Sequence, residues 1–218
     1  MMTPALRRFT FTTHITSSIG WVGAALAFLA LAVIGFTSDD PLKVRGAYLL
    51  MAPAAWFVLV PLAHASLLSG IALSLGTAWG LFRYYWVVLK LGITVFATVI
   101  LLIYMGTFRE MAGVAADPVM DLAVVRNASP IVHAILALIL LLAVTWLGIY
   151  KPFGMTPYGR GQQSAARQTL RTIAVPLPKV SPPAAGQTPR WVYLVGILAV
   201  GLILLVALIH LTGTGFHH

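Results

Sequence analysis

Cysteine is absent from the 218 residues, which excludes disulfides, thiolate metal sites and thiol catalysis and leaves the redox compartment open. Acid is scarce: five Asp and Glu stand against 14 Lys and Arg, and none of the five lies within a predicted span. That removes the buried carboxylates on which proton-coupled transporters usually rely, and the general base that zinc hydrolysis needs. Charged residues of either sign make up 9% of the chain while apolar ones make up 60%, too little polar surface to coat a soluble domain.

What is present is long apolar blocks. A bilayer core of roughly 30 Å takes about 20 helical residues, and five blocks reach that length: Ile15 to Phe36, Ala47 to Gly76, Trp86 to Tyr104, Pro130 to Tyr150 and Trp191 to Leu211. Helices are the fitting span, because lipid satisfies no backbone donor or acceptor. The expected fold is therefore all-α, a polytopic membrane bundle of five transmembrane helices. Arg7-Arg8 precedes the first block as in a signal peptide, but the block is about twice the length of a signal's apolar region and reads as an uncleaved span.

Charge orients the bundle. With the N-terminus inside, Arg7, Arg8, Arg83, Lys90, Lys151, Arg160, Arg167, Arg171, Lys179 and Arg190 fall on the inner side with no acid beside them. Asp39, Asp40, Glu110, Asp117 and Asp121 all fall in two outer loops, Thr37 to Gly46 and Gly106 to Ser129. This is the positive-inside distribution, and it places the N-terminus inside and the C-terminus outside a plasma (inner) membrane. After Tyr150 the composition turns to proline, glycine, serine and glutamine, which cannot bury enough apolar area to form a core. The chain is thus read as a four-helix core over 1–150, a flexible basic linker over 151–190, and a fifth helix with a short tail over 191–218. The basic inner loop suits anionic lipid headgroups. It lacks the motifs and interleaved aromatics of a nucleic-acid binder.

Ionisable side chains inside spans are costly and mark candidate sites: His14, His64, Lys90, His133 and His210. His14, Ser17, Ser18, Trp21, Ala25 and Phe28 share one face of a helix by steps of three and four. His64 follows Pro61, whose missing N–H frees the Phe57 carbonyl and kinks the helix. At 1.5 Å per residue His133 and His210 match in depth near the outer surface, while His14 and His64 are offset by roughly 10 Å. Arg83 and Lys90, in GLFRYYWVVLK, sit at the inner aromatic belt, either snorkelling to headgroups or pairing with an anion. Histidines facing an apolar bundle without cysteine or carboxylate suit haem iron first and copper second. Imidazoles bonded to headgroups or to neighbouring carbonyls are the alternative.

Three short motifs carry a resemblance: His14, six residues, Trp21, then Gly23; Leu68-Ser69-Gly70; and Trp86, three residues, Lys90. The chain resembles a group of small bacterial membrane proteins that includes the CopD-type copper-resistance proteins, the HemJ-type protoporphyrinogen oxidases and four-span proteins of a domain of unknown function. The HemJ-type pattern implies His14 as a haem ligand and Lys90 as an essential basic residue. A histidine shortly before the family lysine is missing here, where the chain reads Trp86-Val87-Val88-Leu89-Lys90. The CopD-type pattern implies copper near His14 and His64, without the methionine-rich outer motifs.

Three functions follow as expectations. The first is a b-type haem protein of electron transfer or haem-linked oxidation, held by some of His14, His64, His133 and His210, with Arg83 and Lys90 at the cofactor's anionic groups and a membrane redox partner or a second copy beside it. The others are a copper-binding or copper-translocating protein and a cofactor-free scaffold or accessory subunit.

Overall fold

A computed structural model describes residues 2–152, 154–172, 189–195, 197, 198, 201, 205 and 208. Its long elements are helices: α1 (Pro4–Thr37), α2 (Pro41–Ala54), α3 (Val60–Gly76), α4 (Tyr85–Ala116), α5 (Ser129–Tyr150) and α6 (Pro157–Thr172). Among the described residues there is no strand, and Tyr84 and Met155 form an isolated bridge. Four helical stretches are long and apolar enough to cross a membrane: Pro4–Thr37, Pro41–Gly76, Tyr85–Ala116 and Leu122–Tyr150. The chain is a multi-pass helical membrane protein. Residues 190–195 are also helical; the remainder of the expected fifth span, His210 included, lies largely outside the described residues.

The helices begin where local chemistry permits. Thr3 caps α1, its Oγ1 accepting from Leu6 N, and Pro4 follows at a position where the missing N–H costs nothing. Asp40 caps α2 in the same way through Leu42 N at 3.0 Å, again followed by proline. The connection expected over Thr37 to Gly46 therefore shrinks to Ser38, Asp39 and Asp40. At the far end α4 runs through Arg109 and Glu110 to Ala116, because exposed charge does not break a helix; Asp117-Pro118 does. The long loop expected over Gly106 to Ser129 is thus helical in its first half.

α2 and α3 form one span joined by a π-helical turn, Ala55–Leu59, in which the Val60 N–H donates to the Ala55 carbonyl five residues back. Pro61 supplies the reason. A proline ring collides with the carbonyl four residues earlier, and a widened turn moves that carbonyl aside.

α1 packs against α2, α3 and α5, and α4 packs against the same three, so the four spans close into a ring. The predicted stripe on α1 is its buried face, with Ser17, Trp21, Ala25 and Phe28 continued by Ala32 and Gly35. Gly35 lets the Tyr48 ring approach so closely that an added Cβ would sit 3.1 Å from it. Around the outside, Ile19, Leu26, Phe57, Leu68 and Leu142 are exposed. That apolar exterior is a liability in water and is compatible with contact to a lipid bilayer.

All five acids cluster at the end of the bundle where α1 and α4 finish. The opposite end, where α1 and α4 begin, is basic. At this basic end part of the expected linker is structured. Thr156 Oγ1 donates to the Phe82 carbonyl at 2.6 Å and accepts from Gly159 N at 3.1 Å, while Thr156 N donates to the Arg83 carbonyl. The start of α6 is thereby pinned to the loop before α4. Gly159 lies against the Arg83 carbonyl, with no room for a side chain.

Candidate functional site

Three separated stretches of sequence meet at His14. On α1, two turns before Trp21, its ring reaches α3, where Nδ1 lies 3.0 Å from the Ser66 carbonyl and 3.1 Å from Ser69 Oγ. A carbonyl only accepts, so Nδ1 carries the hydrogen and Nε2 of the neutral ring holds a lone pair. Lys90 Nζ, from α4, lies 3.3 Å from that Nε2 and donates to it.

Small side chains make the meeting possible. A Cβ on Gly70 would lie 3.1 Å from His14 Cε1, and one on Gly148 of α5 would lie 3.2 Å from Lys90 Nζ. Ser18 Oγ and Ser66 Oγ are 2.8 Å apart, joining α1 to α3 beside the ring. Each of the three short motifs therefore contributes a group: His14 from the first, Ser69 and Gly70 from the second, Lys90 from the third.

The pair faces a cavity of about 550 Å³ at the basic end of the bundle. Arg7, Arg8 and Lys151 line it with His14 and Lys90, and no Asp or Glu does. Its remaining walls mix apolar and aromatic side chains, Phe11, Trp79 and Trp86 among them, with the hydroxyls of Ser66, Ser74, Thr77 and Thr94. Lys151 Nζ sits 5.1 Å from the Trp79 ring centroid, a cation–π contact that holds it near the mouth.

The other candidates lie elsewhere. His64 donates from Nδ1 to the Val60 carbonyl one turn back at 2.8 Å and lines neither this cavity nor the smaller one described next. His133 is at the acidic end, donating from Nδ1 to the Ser129 carbonyl at 2.9 Å and stacking on Tyr104 with centroids 4.2 Å apart. It borders an apolar cavity of about 80 Å³ with Trp21, Phe28 and Phe108. Arg83 is not on the wall of the large cavity; its Nη1 donates to the Ala78 carbonyl at 3.2 Å. His210 is outside the described residues. Among the described residues no cluster of three or more His, Asp or Glu is placed to hold a metal ion.

Sequence reasoning missed Ser66, Gly148 and Lys151. Ser66 was legible as the partner of Ser69 one turn on. Gly148 was not, because its role is to leave space for a side chain from another helix. No protein-family model, curated protein or solved structure matches the chain.

Proposed function

We propose that the chain is a plasma-membrane protein that binds haem b in the cavity at its basic end, where His14 would hold the iron, and serves electron transfer or a haem-linked oxidation. The observation that carries this reading is the His14 tautomer. Metal-binding histidines characteristically donate their other ring N–H to a carbonyl or carboxylate, which fixes the ring and raises its basicity. His14 does this to Ser66, and its Nε2, which Lys90 Nζ approaches to 3.3 Å, is on the wall of a cavity of about 550 Å³ that Phe11, Trp79 and Trp86 also line.

The residues present fit the group. Ser66, Ser69 and Gly70 hold the imidazole, Phe11, Trp79 and Trp86 offer apolar wall, and Arg7, Arg8, Lys90 and Lys151 offer cations for propionates. Lys90 must release Nε2 for a metal to take it, and its ammonium is then available to an acid group. Bound haem would supply a one-electron carrier. Among the described residues His14 is the imidazole on this wall, which favours a single-histidine haem over a pair. The positive-inside rule then puts the basic end, and the cavity mouth, on the cytoplasmic side, with a fifth span carrying the C-terminus across.

A cofactor-free scaffold is the second reading. It is favoured by His64 and His133, each bonded to the carbonyl one turn back on its own helix, as a merely structural histidine would be. Copper draws less support from the described side chains, since His14 is accompanied by an amine and hydroxyls rather than by further imidazoles or thioethers.

The test is the absorption spectrum of the purified chain from haem-replete cells, before and after dithionite. A Soret band lost in His14→Ala and kept in His64→Ala and His133→Ala is the expected result. A colourless wild-type chain overturns the haem reading and leaves the scaffold.

A further inference from the structure

The cavity at the basic end holds a charge problem that the protein does not solve by itself. Lys90 is half-buried, and among the cavity-lining residues Arg7, Arg8 and Lys151 add three more cations without a carboxylate. Its ammonium meets a neutral imidazole nitrogen, which accepts a hydrogen bond but returns no charge. The nearest acid on the same helix, Glu110, is 20 residues away, about 30 Å at the helical rise. Nor do the other acids help, since all sit at the far end of the bundle, where Asp40 pairs with Lys43 at 3.6 Å. A partly buried cation is costly unless it is paired or gives up its proton, and no acid of the chain is placed to pair with this one.

The cavity describes the partner that would pair with it from outside the chain. Two exposed arginines and an exposed lysine stand at its mouth, and the lysine–histidine pair lies deeper, between Phe11, Trp86 and aliphatic side chains of α3 and α4. A small inorganic anion would leave those apolar walls unused, whereas a neutral lipid would leave the cations unpaired. We infer that the cavity is a binding site for an acidic amphiphile, whose phosphate or carboxylate pairs with Arg7, Arg8, Lys90 and Lys151 while its apolar part lies along the α1, α3 and α4 walls. Two sources supply that chemistry, an anionic phospholipid and the propionates of haem. The inference therefore stands whether or not His14 carries a metal.

The experiment uses the full chain in mild detergent with equal amounts of phosphatidylglycerol and phosphatidylcholine of matched acyl chains. Bound lipid is counted by native mass spectrometry, and the visible spectrum of the same sample is recorded. A colourless chain should retain phosphatidylglycerol over phosphatidylcholine by roughly tenfold, as ion-paired phosphate recognition implies. That preference should vanish in Arg7→Gln/Arg8→Gln and in Lys90→Met and persist in Lys43→Gln at the opposite end. This outcome supports the site while sinking the haem reading. A pigmented chain that shows no lipid preference but loses its Soret band in Arg7→Gln/Arg8→Gln supports the site with haem as the source of the acid. Equal retention of both lipids by a colourless chain, a preference unchanged in both cavity variants, or pigment unchanged in the arginine variant without any lipid preference overturns it. The arginines are exposed on the first turns of α1, so their replacement leaves the bundle folded.

Discussion

Lys90 and His14 stand 3.3 Å apart in a cavity without acid, and this sets the sign of a substitution. Replacing a lysine at a catalytic or paired site normally destabilises, because a partner charge is stranded. Here the stranded group is the lysine itself. Lys90→Met keeps a long flexible side chain, removes the uncompensated ammonium and leaves Nε2 of His14 with a softer neighbour. In lipid-free detergent the variant should melt at or above the wild-type temperature, a gain of about 1 to 2 kcal/mol. Adding phosphatidylglycerol should raise the wild-type melt and leave that of Lys90→Met unmoved, since a ligand stabilises only the form that binds it. A variant that melts well below wild type without lipid would show that the pair is a structural tie instead. At this scale the sequence was informative about residue types and silent about partners. Costly side chains stood out in an apolar background, but the glycines that let them meet did not. Gly70 and Gly148 matter through the atoms they lack, and only the tertiary approach of α1, α3, α4 and α5 reveals it.

The middles of the elements follow from hydropathy, and their ends follow from chemistry that hydropathy ignores. The first four predicted spans coincide with the described helices over their apolar stretches, yet α2 starts six residues before Ala47 and α4 runs twelve residues beyond Tyr104. In both cases a helix continues through charged residues until an Asp-Pro step stops or starts it. The extension brings Arg45 of α2 beside the end of α4, where its Nη1 donates to the carbonyls of Ala115 and Asp117 and its Nη2 to those of Pro118 and Met120. One guanidinium thus satisfies carbonyls at the C-terminal end of α4 and in the turn that follows. Arg45→Met should destabilise the chain by about 2 kcal/mol, from charge-assisted bonds lost to carbonyls. Its local signature is faster amide exchange over residues 117–128 than over the helices. Unchanged exchange there would mean that the Asp117 and Asp121 side chains, which accept from Val119 N and Ala123 N, hold the loop unaided.

For the whole molecule, the separation of charge is the governing feature. Every acid lies at one end and most bases at the other, so a bundle whose helices are individually reversible has one favoured orientation across a charged membrane. The absence of cysteine makes this directly measurable, because any introduced thiol is the sole target of a maleimide. Val119→Cys is on a loop residue exposed to 90% at the acidic end, and Ser164→Cys is on the exposed part of α6 at the basic end. In intact cells an impermeant maleimide should label the first, and the second should react only after the membrane is opened. The reverse pattern would put the cationic cavity on the outer surface and remove cytoplasmic lipid and haem as its natural occupants. A third thiol, Thr214→Cys, counts the spans. Labelling from outside means that the segment after residue 190 crosses the bilayer and the chain has five spans. Protection until lysis means that the four-helix ring is the entire membrane unit and the segment from α6 onward stays on the side of the cavity, within reach of its mouth.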